Sequence, residues 1–135
     1  EGMPEPTEHD KDVSRISISP FSVGDVETLF FDKLNFDRES IVIKKGWFQD
    51  TLPKAKSEIG KIAILRLDAD WYESTKCCLD NLYENVSPGG YVIIDDYGYW
   101  EGCKQALDEF VHAKKMGIEL LEIDHDGRYF QTPGI

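Results

Sequence analysis

The sequence predicts an α/β fold, with a mostly parallel sheet crossed by helices and closed by an antiparallel C-terminal hairpin. Three observations carry this prediction. Two continuous apolar runs, Ile62-Ala63-Ile64-Leu65-Arg66-Leu67 and Tyr91-Val92-Ile93-Ile94, have the length and branching of buried strands. Segments of helical periodicity separate and follow them, and such alternation implies parallel strands with crossover helices. Last, Asp126-Gly127 lies between two β-prone runs, which is a strong hairpin signal.

Taken in order, residues 1–12 are Pro-rich and acidic and read as a loop. Residues 13–19 alternate weakly around Ile16 and Ile18, as a short strand or an extended lead-in, so that 1–20 form the entry to one domain spanning 1–135. Ser22 can cap a helix over about 23–35 whose stripe is Val26, Leu29, Phe30 and Leu34. Ile41-Val42-Ile43 reads as a short buried strand ending at Gly46. Pro53 limits the next segment to a turn or short helix up to Ile59, and Gly60 ends it. After the first long strand, Ser74 and Thr75 are N-cap candidates for a helix with Cys78, Leu79, Leu82, Tyr83 and Val86 at helical spacing. Ser87-Pro88-Gly89-Gly90 reads as its stop. Cys103, Ala106, Leu107, Phe110 and Val111 mark a helix over about 101–115, with Gly117 as its C-terminal cap. Ile118–Ile123 and Arg128–Thr132 complete the chain as the hairpin.

The 135 residues suffice for one domain and one core, and 41% hydrophobic and 12% aromatic content are globular values. A net charge of −11, from 15 basic against 26 acidic residues, argues against nucleic acid and against an anionic membrane surface. No apolar run reaches about 18 residues. Cys77 and Cys78 are adjacent, which suits neither an ordinary disulfide nor a CxxC pair. With Cys103 they read as reduced thiols of a cytoplasmic protein.

Both long apolar runs end in acid: Asp68-Ala69-Asp70 after the first, Asp95-Asp96 after the second. Strand C-termini face the ligand crevice of an open α/β sheet. Neighbouring strands lie ~4.8 Å apart, so these carboxylates would crowd one volume and repel unless protonated or neutralised. Asp68, Asp95 and Asp96 can supply three oxygen ligands to Mg²⁺, a hard cation. Asp70, two residues beyond Asp68, can take a proton from a hydroxyl that the metal acidifies, as a general base. The plainer alternative for each is a turn, cap or helix-start residue. Trp71, Tyr72, Tyr97, Tyr99 and Trp100 crowd both acidic sites and suit either an acceptor's ring face or packing beneath the loops.

At these residues the chain resembles a known family. Gly46-Trp47-Phe48-Gln49-Asp50-Thr51-Leu52-Pro53 is similar to its loop after the third sheet strand. Leu67-Asp68-Ala69-Asp70-Trp71-Tyr72-Glu73-Ser74-Thr75 is similar to its metal and base motif. Ser87-Pro88-Gly89-Gly90, Asp95-Asp96-Tyr97 and Gly102-Cys103-Lys104-Gln105-Ala106 follow in the expected order. The family is the macrocin O-methyltransferase (TylF-like) group of S-adenosylmethionine- and Mg²⁺-dependent enzymes, many acting on sugar hydroxyls of natural products. The match is detailed over about residues 41–113.

The resemblance implies a class I, Rossmann-like methyltransferase sheet. It implies Mg²⁺ on Asp68, Asp95 and Asp96, and Asp70 as the base that deprotonates a small-molecule acceptor. Phe48 and Gln49 would lie near the adenine of S-adenosylmethionine, with Asp68 also on the cofactor side. Trp71, Tyr72, Tyr97 and Trp100 would lie towards the acceptor. The strand and glycine-bearing loop that hold the cofactor's methionine end are absent, as is the next strand with its ribose-binding acid, so the chain resembles the C-terminal part of such an enzyme. The expected consequences are an inactive fragment and a raw strand edge open to pairing with a second copy, a route to a homodimer. Two other readings fit the acidic motif: a nucleotide-sugar glycosyltransferase with a DxD metal site, and a non-catalytic metal-binding or interaction module.

Overall fold

The computed structural model describes residues 3–11 and 21–134. The element expected at 13–19 lies outside the described residues. Among the described residues four strands form one sheet in the order β1 (Ile62–Leu67), β2 (Val86–Ile94), β4 (Arg128–Gln131), β3 (Leu121–Glu122). β1 and β2 pair in parallel, and β4 runs antiparallel to both β2 and β3. Three of the four strands therefore share one direction, as expected of a mostly parallel sheet with a closing hairpin.

The core lies on one face of this sheet. Leu65, Leu67, Val92, Ile94 and Phe130 point to that face and are buried with Leu79 and Leu82 of α3 (Tyr72–Leu82) and Leu107 and Phe110 of α4 (Glu101–Ala113). The α4 stripe fits its predicted positions, with Cys103, Ala106, Leu107 and Phe110 buried and Val111 half-buried. On the opposite face Ile64 is 61% exposed and Tyr91 40% exposed. The three cysteines are free thiols. Among the described residues no helix is long and apolar enough to cross a membrane.

Several local expectations are corrected. Ile41-Val42-Ile43 is extended but pairs with no strand among the described residues, and an unpaired strand leaves its backbone groups to water. Ser22 does cap α1 (Val23–Glu27), in a reciprocal box with Asp25, but from Thr28 to Lys33 the helix widens to π turns. The wider turn takes the apolar stripe out of a 3.6-residue register, and Leu29 and Leu34 stay exposed. Pro53 sits inside a full helix, α2 (Phe48–Ile59), longer than the turn or short helix expected, although it ends at Ile59 before Gly60 as expected. Its first turn is fastened by Thr51, whose N–H and Oγ1 both donate to the Trp47 carbonyl.

Helix α3 starts at Tyr72, with Trp71 in the N-cap position, so Ser74 and Thr75 are interior residues. Ser87-Pro88-Gly89-Gly90 is not a helix stop, because α3 ends at Leu82 and a 3₁₀ turn carries the chain to Asn85. The tetrapeptide is instead a bulge within β2, clamped by Thr132, whose Oγ1 donates to the Ser87 carbonyl at 2.8 Å. A Cβ on Gly90 would meet the Ala63 carbonyl oxygen at 2.9 Å, which requires glycine. Helix α4 closes on Lys115, not Gly117: Lys115 holds φ 51° while Met116 N–H reaches back to the Val111 carbonyl. The β3–β4 loop is organised by Asp124, whose Oδ1 accepts from the Asp126 and Gly127 N–H groups.

Candidate metal and base site

Sheet register brings the two acidic ends level. Leu67 pairs with Ile94, and Asp95 N–H donates to the Leu67 carbonyl at 2.9 Å, so Asp68 and Asp95-Asp96 leave the sheet side by side. Beyond Asp68 the backbone reverses sharply. Asp70 adopts φ 58°, and Trp71 N–H bonds the Ala69 carbonyl at 2.6 Å across it, a γ-turn. Asp is among the few residues that tolerate this left-handed conformation. The reversal swings the Asp70 carboxylate back over the strand ends. As a result Asp68, Asp70 and Asp96 each place one carboxylate oxygen within 4.8 Å of the other two.

Asp95 is directed elsewhere. Arg66 spans both strand ends, with one guanidinium nitrogen 2.7 Å from Asp95 Oδ2 and the other 3.0 Å from Asp68 Oδ2. Partial burial opposes the guanidinium's charge, but Asp95 and Asp68 outweigh it and hold Arg66 above its usual value. The acid trio expected from sequence was Asp68, Asp95 and Asp96. The trio that converges here is Asp68, Asp70 and Asp96, with Asp95 beside it as a partner of Arg66.

The electrostatics follow from crowding. Among the described residues Asp96 Oδ2 is buried without a hydrogen-bond partner, and the Asp70 carboxylate beside it serves as one only when the pair shares a proton. Burial, then the contact and charge of Asp70, then Asp68 and Asp95, push Asp96 up to about 8. Asp70 is raised as well, by burial first and by the charges of Asp68 and Asp95. Protons or a cation can relieve such a cluster. Its donors are all carboxylate oxygens, the set that a hard divalent ion takes.

Beside the cluster opens a cavity of about 740 Å³, within the range of small-molecule and cofactor sites. Asp68 and Asp70 form one wall and Trp47, Phe48 and Gln49 another; Met3 and Pro4 come from the N-terminal segment. Phe48 and Gln49 thus share a cavity with the acids, and Phe48 is 38% exposed.

The aromatic residues divide. Trp71 is 1% exposed, and its Nε1 donates to the Pro4 carbonyl. Its ring packs 5.0 Å from that of Trp100, which is also buried, so both sit in the core under the site. Tyr72 is buried too, its hydroxyl donating to Glu109 at 2.6 Å, a bond that with burial pushes it up to about 12. Tyr97 is half-buried and faces away, its hydroxyl bonded to Asp108 and Lys104. Tyr99 is 40% exposed beside Trp100.

Sequence reasoning missed two residues. Arg66 interrupts an apolar run at the position facing its acids, and that interruption was a legible signal. Asp10, buried against the start of α3 at a separation of 62 residues, had none.

The chain matches the family model described as macrocin O-methyltransferase (TylF) over residues 1–132. It is 50% identical over 93 residues to the demethyldecarbamoylnovobiocin O-methyltransferase of Streptomyces niveus, covering 69% of this chain and 35% of that protein. It is 38% identical over 104 residues to the 8-demethyl-8-(2,3-dimethoxy-alpha-L-rhamnosyl)-tetracenomycin-C 4'-O-methyltransferase of Streptomyces olivaceus, covering 73% of this chain and 39% of that one. Among solved structures, the O-methyltransferase NovP superposes with a TM-score of 0.85 at 39% identity, over 98% of this chain and 56% of NovP. The chain thus spans little more than a third of the length of these two curated relatives and about half of that structure. With the family model matched from residue 1 to residue 132, the chain belongs to the macrocin O-methyltransferase (TylF) family.

Proposed function

We propose that this chain carries the metal and base machinery of an S-adenosylmethionine- and Mg²⁺-dependent O-methyltransferase acting on a hydroxyl of a sugar or other natural-product acceptor. The observation that carries the reading is the convergence of Asp68, Asp70 and Asp96 on the wall of the cavity that Phe48 and Gln49 also line. The methyltransferase relatives favour it over the nucleotide-sugar reading of Asp68-Ala69-Asp70.

The residues fit a hard cation: the donors are all oxygens, and one of them, Asp96 Oδ2, is buried and unpartnered. Asp68 and Asp96 would hold it, with Asp95 as third ligand once released from Arg66. Bound there, Mg²⁺ would neutralise the acids and lower the pKa of an acceptor hydroxyl, while S-adenosylmethionine would supply an electrophilic methyl. Asp70 accepts the hydroxyl proton. Its γ-turn aims the carboxylate into the cavity, and Phe48 offers an apolar face to an adenine. Trp71 and Trp100 are packed in the core next to the Asp70 turn and support it from behind. Spanning so little of its relatives' length, the chain alone is expected to bind without turnover.

Calorimetric titration of Mg²⁺ into this chain and into Asp96→Asn tests the reading. Binding that the substitution abolishes supports it, as does a preference for S-adenosylhomocysteine over UDP. Absence of Mg²⁺ binding in both proteins rejects it for this chain.

A further inference from the structure

We propose that Asp10 is a positioning residue for Asp70: its carboxylate, seated against Gly102, caps α3 and thereby holds the reversed Asp70 turn in the cavity. The inference rests on the reading of Asp70 given above and adds a residue that the family resemblance did not single out.

Helix α3 begins two residues after Asp70, and its N-cap residue, Trp71, has no side chain able to bond the first-turn N–H groups. Asp10 supplies that bond from a distance. Its Oδ1 accepts from Tyr72 N–H at 2.8 Å, in a buried contact. Its Oδ2 accepts from both the N–H and the Oγ1 of Thr7, each at 2.9 Å. Asp10 is 8% exposed, and three donors and the positive end of α3 meet its charge. The fit depends on α4: a Cβ on Gly102 would lie 1.9 Å from Asp10 Oδ1. Neighbouring contacts fix the same segment. The Pro4 carbonyl takes the Trp71 Nε1 proton at 3.0 Å, and the His9 ring stacks on Tyr72 at 4.1 Å. The two residues after Asp70 are therefore anchored to residues 4–10, Trp71 through its ring nitrogen and Tyr72 through its backbone. A left-handed Asp is unfavourable in isolation and persists where its surroundings over-determine it.

The test uses the metal-free chain as wild type, Asp10→Ala, Asp10→Asn, Gly102→Ala and the milder Thr7→Val. Backbone chemical shifts of Asp70 report its left-handed φ, and amide exchange reports the start of α3. Asp10→Ala and Gly102→Ala are expected to move Asp70 out of the left-handed region and to speed exchange at Tyr72 about fivefold or more. Asp10→Asn keeps an acceptor for Tyr72 N–H but sets an amide NH2 against the Thr7 N–H, so it should shift both part-way and less than Asp10→Ala. Thr7→Val should shift both part-way, and remains informative if the stronger variants do not fold. Mg²⁺ affinity should fall about tenfold or more in step with the Asp70 shifts. Folded variants whose Asp70 shifts and Mg²⁺ affinity match wild type, with only a lower melting temperature, would overturn the inference and leave Asp10 a plain helix cap. If Asp70 moves but wild type binds no Mg²⁺, the positioning holds and the proposed function fails.

Discussion

Replacing Asp96 by Asn is expected to make the metal-free protein more stable at pH 8 while removing its response to Mg²⁺. Asp96 is pushed from the ordinary 3.8 to about 8 in the folded protein, so between those values the folded chain holds a proton that the unfolded chain has released. Where the folded state binds more protons, stability falls as pH rises. The penalty therefore builds from about pH 4 and is complete above about pH 8. The gap between the two values sets a ceiling of ~6 kcal/mol at 1.36 kcal/mol per pH unit. Partial exposure and the sharing of the proton with Asp70 reduce this to about 2 kcal/mol. Asn is isosteric, carries no charge, and its amide can donate to the Asp70 carboxylate where the shared proton was. Urea unfolding at pH 5 and pH 8, followed by the fluorescence of buried Trp71, measures the effect. We expect near-equality at pH 5 and a gain of about 2 kcal/mol for the variant at pH 8. Saturating Mg²⁺ should add ~2.7 kcal/mol to wild type at a hundred times its dissociation constant, and nothing to the variant. A variant less stable than wild type at pH 8 without metal, or a wild type insensitive to pH, would refute the electrostatic account of the cluster.

Other outcomes rest on the same geometry. Arg66→Ala removes a cation that competes for Asp68 and Asp95; because those pairs are exposed, Mg²⁺ should bind only about three- to fivefold tighter by calorimetry. Asp70→Gly relieves both the left-handed strain and the repulsion, so it should raise metal-free stability by about 1 kcal/mol in denaturant melts. Methyl transfer, assayed in a longer protein containing this segment, should be lost with it. Lys115→Gly places glycine where α4 turns left-handed and should stabilise the chain by ~0.5–1 kcal/mol, seen as a higher urea midpoint at unchanged slope. Trp100→Ala leaves a cavity in the core and should cost ~3–5 kcal/mol in the same measurement.

What could be read from the sequence was what depends on local pattern. Ile62–Leu67 is apolar except for Arg66, so it identified itself as a strand and its acidic end came with it, but only Leu65 and Leu67 are buried, because one face of the strand is left uncovered. The α4 stripe was legible for the same reason, since Cys103, Ala106, Leu107 and Phe110 repeat at the helical period. Features that depend on a neighbour were not. Ile41-Val42-Ile43 has the composition of a strand, but strands need partners, and none lies beside it among the described residues. Ser74 and Thr75 are better caps than Trp71 by propensity, yet Asp10 bonds the first turn of α3 and lets the helix begin early. Two left-handed residues, Asp70 and Lys115, were hidden: Lys rarely adopts that conformation, and Asp tolerates it without announcing it. The first of these changed the candidate site, because the turn it makes brings Asp70 into the acid trio while Arg66 draws Asp95 aside.

The contact between positions 10 and 102 also constrains how this chain can evolve. A side chain at 102 cannot appear while Asp10 holds its place, because the two would occupy the same volume. A mutational path that adds bulk at 102 must first pass through a smaller residue at 10, and the reverse order meets a steric barrier. Related sequences that carry bulk at 102 should therefore also carry a smaller residue at 10, and a survey that changes one residue at a time would score 102 as fixed although it is free to vary once 10 has changed.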